Sequence, residues 1–206
     1  MAGKSINMAE QELLLPSTEY LKSGIHIGTK FRTKYMARFI YKTRPDGLSV
    51  MNLQQIDERI KIAANFLSQY EPQEILVIGR RENAWKPLKA LGKATGIQVI
   101  PGRYAPGMLT NPRLDIYVEP KIIVVVDAIP DKNAVYDANR VGIPVIGVCD
   151  TNNQTNNLDL VLPANNKGKK SLGLLFYLLA TGFLRKKGTL GPNEQLKETI
   201  EDFTEQ

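Results

Sequence analysis

Hydrophobic residues along most of the chain alternate between short unbroken runs and segments with helical spacing. The unbroken runs predict strands at 74–79, 97–100, 122–126, 144–148 and 158–162. The helical spacing predicts helices over about 83–95, 131–141 and 169–186. Apolar strands that alternate with helices are typical of a parallel sheet covered on both faces. With right-handed crossovers, this order predicts an α/β fold, a three-layer αβα domain with a doubly wound, mainly parallel sheet.

The N-terminal quarter departs from this alternation. Residues 8–22 have the pattern of a short helix that Pro16 interrupts. Residues 38–43 and 48–51 resemble two short strands, joined at a Pro-Asp-Gly turn. Asn52, followed three residues later by Gln55, is a variant of the capping box and predicts the start of a helix.

The domain organisation follows from these patterns. We assign residues 1–190 to a single α/β domain, in which residues 1–14 form an N-terminal segment that could be mobile. Residues 191–206 form an acidic tail in which Leu196, Ile200 and Phe203 share one helical face. This tail is expected either to dock on a neighbouring surface or to fray.

The distribution of charge matters more than its total. The 206 residues carry 27 Lys and Arg against 21 Asp and Glu, a formal net charge of +6. Residues 22–44, here called basic segment 1, hold seven bases and no acid; residues 165–188, basic segment 2, hold six bases and no acid. The other 159 residues hold 14 bases and 21 acids. One charge run is usually a solvated face, but two acid-free segments on an acidic chain favour a surface that binds a polyanion.

Other features of the composition exclude several classes of protein. The single cysteine, Cys149, excludes an intramolecular disulfide and a Cys-rich zinc site, and fits a reducing compartment. Residues 171–184 form the longest nearly apolar stretch, which is shorter than the roughly 20 residues of a membrane span and predicts a buried helix. The polar N-terminus lacks the apolar region of a signal peptide. We therefore expect a soluble, cytoplasmic protein without a membrane partner.

Aromatic residues are interleaved with the bases of basic segment 1. Phe31, Tyr35, Phe39 and Tyr41 could stack on unpaired RNA bases or anchor the segment to its own core. The strand-like composition around Phe39 and Tyr41 favours the core for these two.

Two loops carry further candidates for RNA binding. The loop at 101–112 presents Arg103 and is either a site or a structural crossover. The loop at 163–171 places three lysines at a helix start, where the helix dipole disfavours them unless an anion is bound, so we favour an anion site. The predicted RNA-binding residues are Lys22, Lys30, Arg32, Lys34, Arg38, Lys42, Arg44, Arg103, Asn165, Asn166, Lys167, Lys169 and Lys170.

An enzyme is the alternative that the residues leave open. Asp127 and Asp150 each follow a predicted strand, and such a pair could hold Mg²⁺ near the phosphate of a nucleotide or sugar phosphate. However, no Gly-rich phosphate loop follows any strand, and the only histidine, His26, is far from both aspartates in sequence. Aspartate also commonly caps a free N–H after a strand. We expect no catalytic residue, no metal, no cofactor and no small-molecule substrate.

Several short motifs resemble, in the same order, those of the universal small-subunit ribosomal protein S2 family. Each motif is weak alone, but their collinear order from about residue 15 to 187 is specific. The motifs are Gly24–Lys30, Asp46–Leu48 with Asn52–Leu53, Ile56–Ile60, Pro101–Tyr104, Leu109–Pro112, Gly142–Ile146, Cys149–Thr151 and Asn165–Ser171.

The form resembles the archaeal branch, which is related to the eukaryotic protein also called the laminin-receptor precursor. The long coiled-coil insertion of bacterial members and the long acidic, Trp-containing tail of eukaryotic members have no counterpart here. The resemblance implies a flavodoxin-like domain without catalytic activity, in the small ribosomal subunit near the junction of head and body. It implies small-subunit ribosomal RNA and other ribosomal proteins as partners. Laminin binding is not carried over.

Overall fold

The computed structural model describes residues 13–191, 194, 196 and 198–204. A short helix, a two-stranded antiparallel hairpin and a longer helix come first: α1 (Ser17–Ser23), β1 (Ile40–Thr43), β2 (Ser49–Met51) and α2 (Leu53–Leu67). Helix α1 begins directly after Pro16, so residues 13–16 of the helix predicted over 8–22 are not helical. The earlier part of that prediction, with most of the segment at 1–14, lies outside the described residues.

Asn52 caps α2, as its position predicts, but the capping box is incomplete. Its side-chain oxygen accepts a hydrogen bond from the Gln54 N–H at 3.0 Å. The reciprocal bond to Gln55 is not made, because the Asn52 N–H donates to the Phe39 carbonyl and the Gln55 amide oxygen is buried without a partner. The turn that precedes β1 therefore satisfies the donor that the box would have used.

A five-stranded, wholly parallel sheet forms the centre of the molecule. Its strands are β3 (Ile75–Gly79), β4 (Gln98–Pro101), β5 (Ile122–Val125), β6 (Val145–Cys149) and β7 (Leu160–Pro163). Their order across the sheet is β4-β3-β5-β6-β7, with β3 between β4 and β5. This is the doubly wound order of flavodoxin-like domains, and it confirms the predicted three-layer αβα fold.

Helices cover both faces of this sheet: α3 (Glu82–Thr95), α4 (Lys132–Val141), α5 (Lys169–Lys187) and the short α6 (Ile200–Thr204). Side chains alternate along each strand, so Val77 and Val124 face a core formed with α2, α3 and α5, whereas Leu76 and Ile123 face a second core formed with α4. Helix α5 is buried along most of its length, as predicted for residues 171–184. Among the described residues, no helix is both long and apolar enough to span a bilayer.

The described end of the acidic tail packs against the domain. Phe203 of α6 is fully buried and meets Tyr177 edge to face, with ring centroids 5.8 Å apart. Gly173 of α5 permits this approach, because a side chain there would overlap Thr204. The remainder of the predicted amphipathic helix includes residues outside the described set.

Cys149 at the end of β6 is fully buried, in agreement with the single unpaired cysteine of the sequence. Burial, together with the nearby carboxylates of Asp127 and Asp150, raises the pKa of the Cys149 thiol to about 12. Since the thiolate is the reactive form, the folded protein should resist iodoacetamide at pH 8 and react once unfolded in urea. Mass spectrometry of the quenched reaction measures this, and rapid labelling of the folded protein would contradict it.

Candidate nucleic-acid interface

Parallel doubly wound sheets commonly bind ligands at the carboxyl ends of their strands. These ends together are called the sheet edge here, and the first candidate carboxylate, Asp127, lies there, after β5. Asp127 is 1% exposed and forms an ion pair with Arg81, whose Nε lies 2.7 Å from Asp127 Oδ2. Its other oxygen accepts hydrogen bonds from the Asn153 side chain at 2.8 Å and the Ile129 N–H at 3.0 Å. Asp127 therefore joins the loops after β3, β5 and β6.

The second carboxylate, Asp150, is engaged in the same way. It is 1% exposed, and the Lys167 ammonium lies 3.0 Å from its Oδ2 atom. Its Oδ1 atom accepts from the Thr151 N–H at 2.6 Å. Within the described ranges, no cluster of three or more His, Cys, Asp or Glu side chains is arranged to hold a metal ion. The contacts of both aspartates are those of structural residues, and nothing in the geometry favours the enzyme alternative.

Basic segment 1 crosses this edge and is hydrogen-bonded to the loop after β6. The Thr33 N–H donates to the Thr151 carbonyl at 2.9 Å, and the Thr33 hydroxyl donates to the Asn153 carbonyl at 2.7 Å. The Thr29 N–H donates to the Thr151 hydroxyl at 3.0 Å. At Gly28 the Thr151 side chain lies so close to the backbone of basic segment 1 that a Cβ atom there would overlap it. These threonines and this glycine hold the bases of the segment at the edge of the sheet.

The start of basic segment 2 lies against basic segment 1 at the same edge. The Asn165 N–H donates to the Ile25 carbonyl at 2.9 Å. The Asn165 side-chain oxygen accepts from the Lys167 and Gly168 N–H groups at 3.0 and 3.2 Å. Asn166 is fully buried and donates to the Val148 carbonyl at 3.1 Å. Two segments separated by some 120 positions in sequence are thus brought into direct contact.

The predicted RNA-binding residues fall into three groups by exposure. Ten bases are exposed: Lys22, Lys30, Arg32, Lys34, Arg38, Lys42, Arg44, Arg103, Lys169 and Lys170. Asn165 and Lys167 are half-buried, and the side chain of Asn166 is inside the protein. Lys22 pairs with Glu19 at 3.0 Å, and Arg44 pairs with Asp46 at 3.2 Å.

The exposed bases are not all at one place. Lys30, Arg32 and Lys34 lie on the loop that Thr29 and Thr33 bind to the loop after β6. Lys42 and Arg44 are on the β1–β2 hairpin and its turn, whereas Arg103 follows β4, at the opposite end of the strand order. The structure thus joins the two basic segments but separates Arg103 from them.

Of the two aromatic residues in basic segment 1 that were predicted to lie in the core, only one is buried. Phe39 is 3% exposed, which confirms its place in the core, and the Arg38 guanidinium lies 4.7 Å from its ring centroid. Tyr41 is 71% exposed, so its assignment to the core is wrong. Within the described part of the chain, strand β1 pairs only with β2, and its side chains from Tyr41 onward face solvent. Phe31 and Tyr35 are also exposed.

Fold and site together define an α/β scaffold that carries an exposed basic surface. The family model for ribosomal protein S2 matches residues 20–116 and 113–185. The small ribosomal subunit protein uS2 of Nanoarchaeum equitans is 48% identical over 192 residues, covering 93% of this chain and 96% of the relative. The proteins of the same name from Ignicoccus hospitalis and Thermoplasma acidophilum are 48% and 42% identical, covering 88% and 96% of this chain and 86% and 99% of the relatives. The chain belongs to the ribosomal protein S2 family, as a member of archaeal type.

Proposed function

We propose that the protein is a structural constituent of the small ribosomal subunit in the cytoplasm. In this role it binds small-subunit ribosomal RNA and neighbouring ribosomal proteins near the junction of head and body, and it supports subunit assembly and translation without catalysing a reaction. The observation that carries this proposal is the extent of the family match. The matched ranges include all of basic segment 1 and reach Arg185 in basic segment 2, so they contain every predicted RNA-binding residue.

The proposed RNA contacts are made mainly to phosphates. Lysine and arginine contacts to phosphate supply affinity and position a protein on RNA without reading its sequence. Lys169 and Lys170 are exposed in the first turn of α5, where the positive end of the helix dipole disfavours them. A bound phosphate would offset this local repulsion, and the adjacent loop of basic segment 1 would add its exposed bases.

Sedimentation tests the class of protein directly. In a sucrose gradient of cell lysate at moderate salt, the protein should migrate with the small subunit and should be released as salt is raised. Migration at the top of the gradient at every salt concentration would contradict the ribosomal role. A free protein that turns over a nucleotide, with turnover lost in Asp127→Asn, would support the enzyme alternative instead.

Charge removal at basic segment 2 tests the RNA surface. Lys169→Ala with Lys170→Ala should weaken binding to small-subunit RNA, because two phosphate contacts and their counterion release are lost. In filter binding, the slope of log K against log salt should fall by about 1.4 to 1.8. Lys167 is left unchanged because it pairs with the buried Asp150.

The matched control removes two exposed lysines outside both basic segments, Lys89→Ala with Lys132→Ala. This control changes net charge by the same amount and should leave most of the slope intact. Equal slopes for the control and the test variant would show that only total charge matters, and an unchanged slope in the test variant would remove basic segment 2 from the interface.

A further inference from the structure

A cleft of about 720 Å³ opens beside the β1–β2 hairpin. It lies between the hairpin, the end of α1 and the start of α2. Its walls include Leu21, His26, Tyr41, Lys42, Arg44 and Leu53. Its volume falls within the range of about 300 to 1,000 Å³ that is usual for sites holding a small ligand.

The walls of this cleft combine exposed apolar surface with positive charge. Tyr41 is 71% exposed and Leu21 is 52% exposed, and large apolar side chains with such exposure often mark contact sites. Lys42 and Arg44 add two cations, and the Lys42 ammonium lies 6.0 Å from the centroid of the Tyr41 ring. No carboxylate is among the described residues that line the cleft. Asp46, which pairs with Arg44 at 3.2 Å, lies outside it.

His26 forms part of the cleft wall but contributes little positive charge. It is half-buried, and burial lowers the pKa of its imidazole, which favours the neutral ring at pH 7. Its carbonyl accepts the Met51 N–H at 2.8 Å and so ties the part of basic segment 1 that follows α1 to the end of β2. The positive charge of the cleft therefore comes from Lys42 and Arg44, beside the exposed ring.

An aromatic ring flanked by cations is the usual arrangement for an unpaired nucleotide. Each base has a flat face that stacks on an aromatic side chain whatever its sequence, and its phosphates attract nearby lysine and arginine. We propose that this cleft holds one unpaired nucleotide of an RNA strand, with the base stacked on Tyr41 and the adjoining phosphates held by Lys42 and Arg44. This inference rests on the proposed function, because it names the part of the RNA that one region of the basic surface takes.

A protein segment is the other class of occupant for an exposed apolar cleft. The observations favour RNA, because no carboxylate is among the described residues that line the cleft and the whole of basic segment 1 lacks an acid. A protein partner would be expected to contact the apolar wall of the cleft without needing an aromatic ring to stack on.

Binding of the full-length protein to a fluorescent single-stranded RNA 12-mer, and to the same sequence as a duplex, tests the stacking. Tyr41→Leu should weaken single-strand binding by about 5- to 150-fold, because stacking on one base is lost. Tyr41→Phe should bind like the unaltered protein, since it keeps the ring. Duplex binding should not change in either variant, and neither should the salt slope, because no charge is removed.

Tyr136→Leu is the matched control, since Tyr136 is an exposed tyrosine outside both basic segments and outside the cleft lining. It should leave single-strand binding within about twofold of the unaltered protein. An equal loss in the two leucine variants would overturn the assignment of the stacked base to this cleft. A loss of subunit incorporation in Tyr41→Leu, with RNA binding intact, would assign the cleft to a protein partner and would also overturn it.

Lys42→Ala with Arg44→Ala separates this inference from the proposed function. For single-stranded RNA, this double substitution should lower the slope of log K against log salt by about 1.4, because each cationic side chain removed loses one phosphate contact. If the slope falls but Tyr41→Leu has no effect, the RNA surface stands and the stacked nucleotide is wrong. If the slope of this variant and that of Lys169→Ala with Lys170→Ala are both unchanged, the RNA-binding proposal itself fails.

Discussion

Lys167→Ala is expected to lower the free energy of unfolding by about 3 kcal/mol, because it leaves the buried carboxylate of Asp150 without its cation. The Lys167 ammonium lies 3.0 Å from Asp150 Oδ2, and the Asp150 side chain is 1% exposed. The Lys167 side chain is 35% exposed, so water entering the vacated space offsets part of the loss. Urea unfolding followed by far-UV circular dichroism measures the change.

Two further variants identify the cause of this loss. Lys169→Ala removes an exposed lysine two positions away and should change stability by no more than about 0.5 kcal/mol. Asp150→Asn, added to Lys167→Ala, removes the unpaired charge and should recover part of the stability, as a double-mutant cycle would show. If Lys167→Ala proved as mild as Lys169→Ala and also flattened the salt slope of RNA binding, Lys167 would be a phosphate ligand and not the partner of a buried acid.

The sheet and its helices were largely predictable because their signals are local. The run at 122–126 became β5 (Ile122–Val125), and the pattern at 169–186 became α5 (Lys169–Lys187). In both cases the apolar residues within a short stretch determine the element. A strand that is buried on both faces needs an unbroken apolar run, and a buried helix needs turns that are apolar nearly all round. The parallel order of the strands followed from handedness and connection rules that hold for this class of sheet.

The candidate site was predictable only in part, because exposure depends on partners that are distant in sequence. The segregation of bases predicted two basic segments, and nine of the candidate bases named within them are exposed. Asn166 and Lys167 have the same polar character but face inward, towards the Val148 carbonyl and the Asp150 carboxylate. No local pattern distinguishes them from Lys169. Tyr41 shows the opposite case, since a strand-like composition does not reveal that β1 lies at an edge.

The contacts that join the two basic segments were not predicted, although Asn165 is among the predicted RNA-binding residues. Thr33 meets the backbone of Thr151 and Asn153, and Asn165 meets the Ile25 carbonyl. The only signal was the position of Thr151 and Asn153 just after an apolar strand, where ligand-binding or structural polar groups are both common. Which of these two roles they have depends on the loop that covers them, and its path is set by tertiary packing.

Gly28→Ala should detach the loop of basic segment 1 from the sheet edge and lower the free energy of unfolding by about 2 kcal/mol, the usual cost of forcing a methyl group into a filled space. The added carbon would overlap Thr151 Cγ2 and would lie 2.9 Å from the Thr151 hydroxyl oxygen and 3.0 Å from Asp150 Oδ1. The hydrogen bond from the Thr29 N–H to Thr151 would be lost with it. Hydrogen exchange should therefore accelerate at the Thr29 and Thr33 amides, and RNA affinity should fall although no charge is altered.

The Thr151 Cγ2 methyl, which the added carbon of Gly28→Ala would overlap, can be removed by a second substitution. Thr151→Ser deletes the Cγ2 methyl but keeps the hydroxyl that accepts from Thr29, so in the Gly28→Ala background it should restore part of the stability and the slow exchange of both amides. Gly168→Ala is the matched control, because a carbon added there meets only ordinary contacts at 3.4 and 3.5 Å and should have little effect. If Thr151→Ser rescued nothing, or if Gly28→Ala exchanged as slowly as Gly168→Ala, the close approach at Gly28 would not be what holds the basic loop in place.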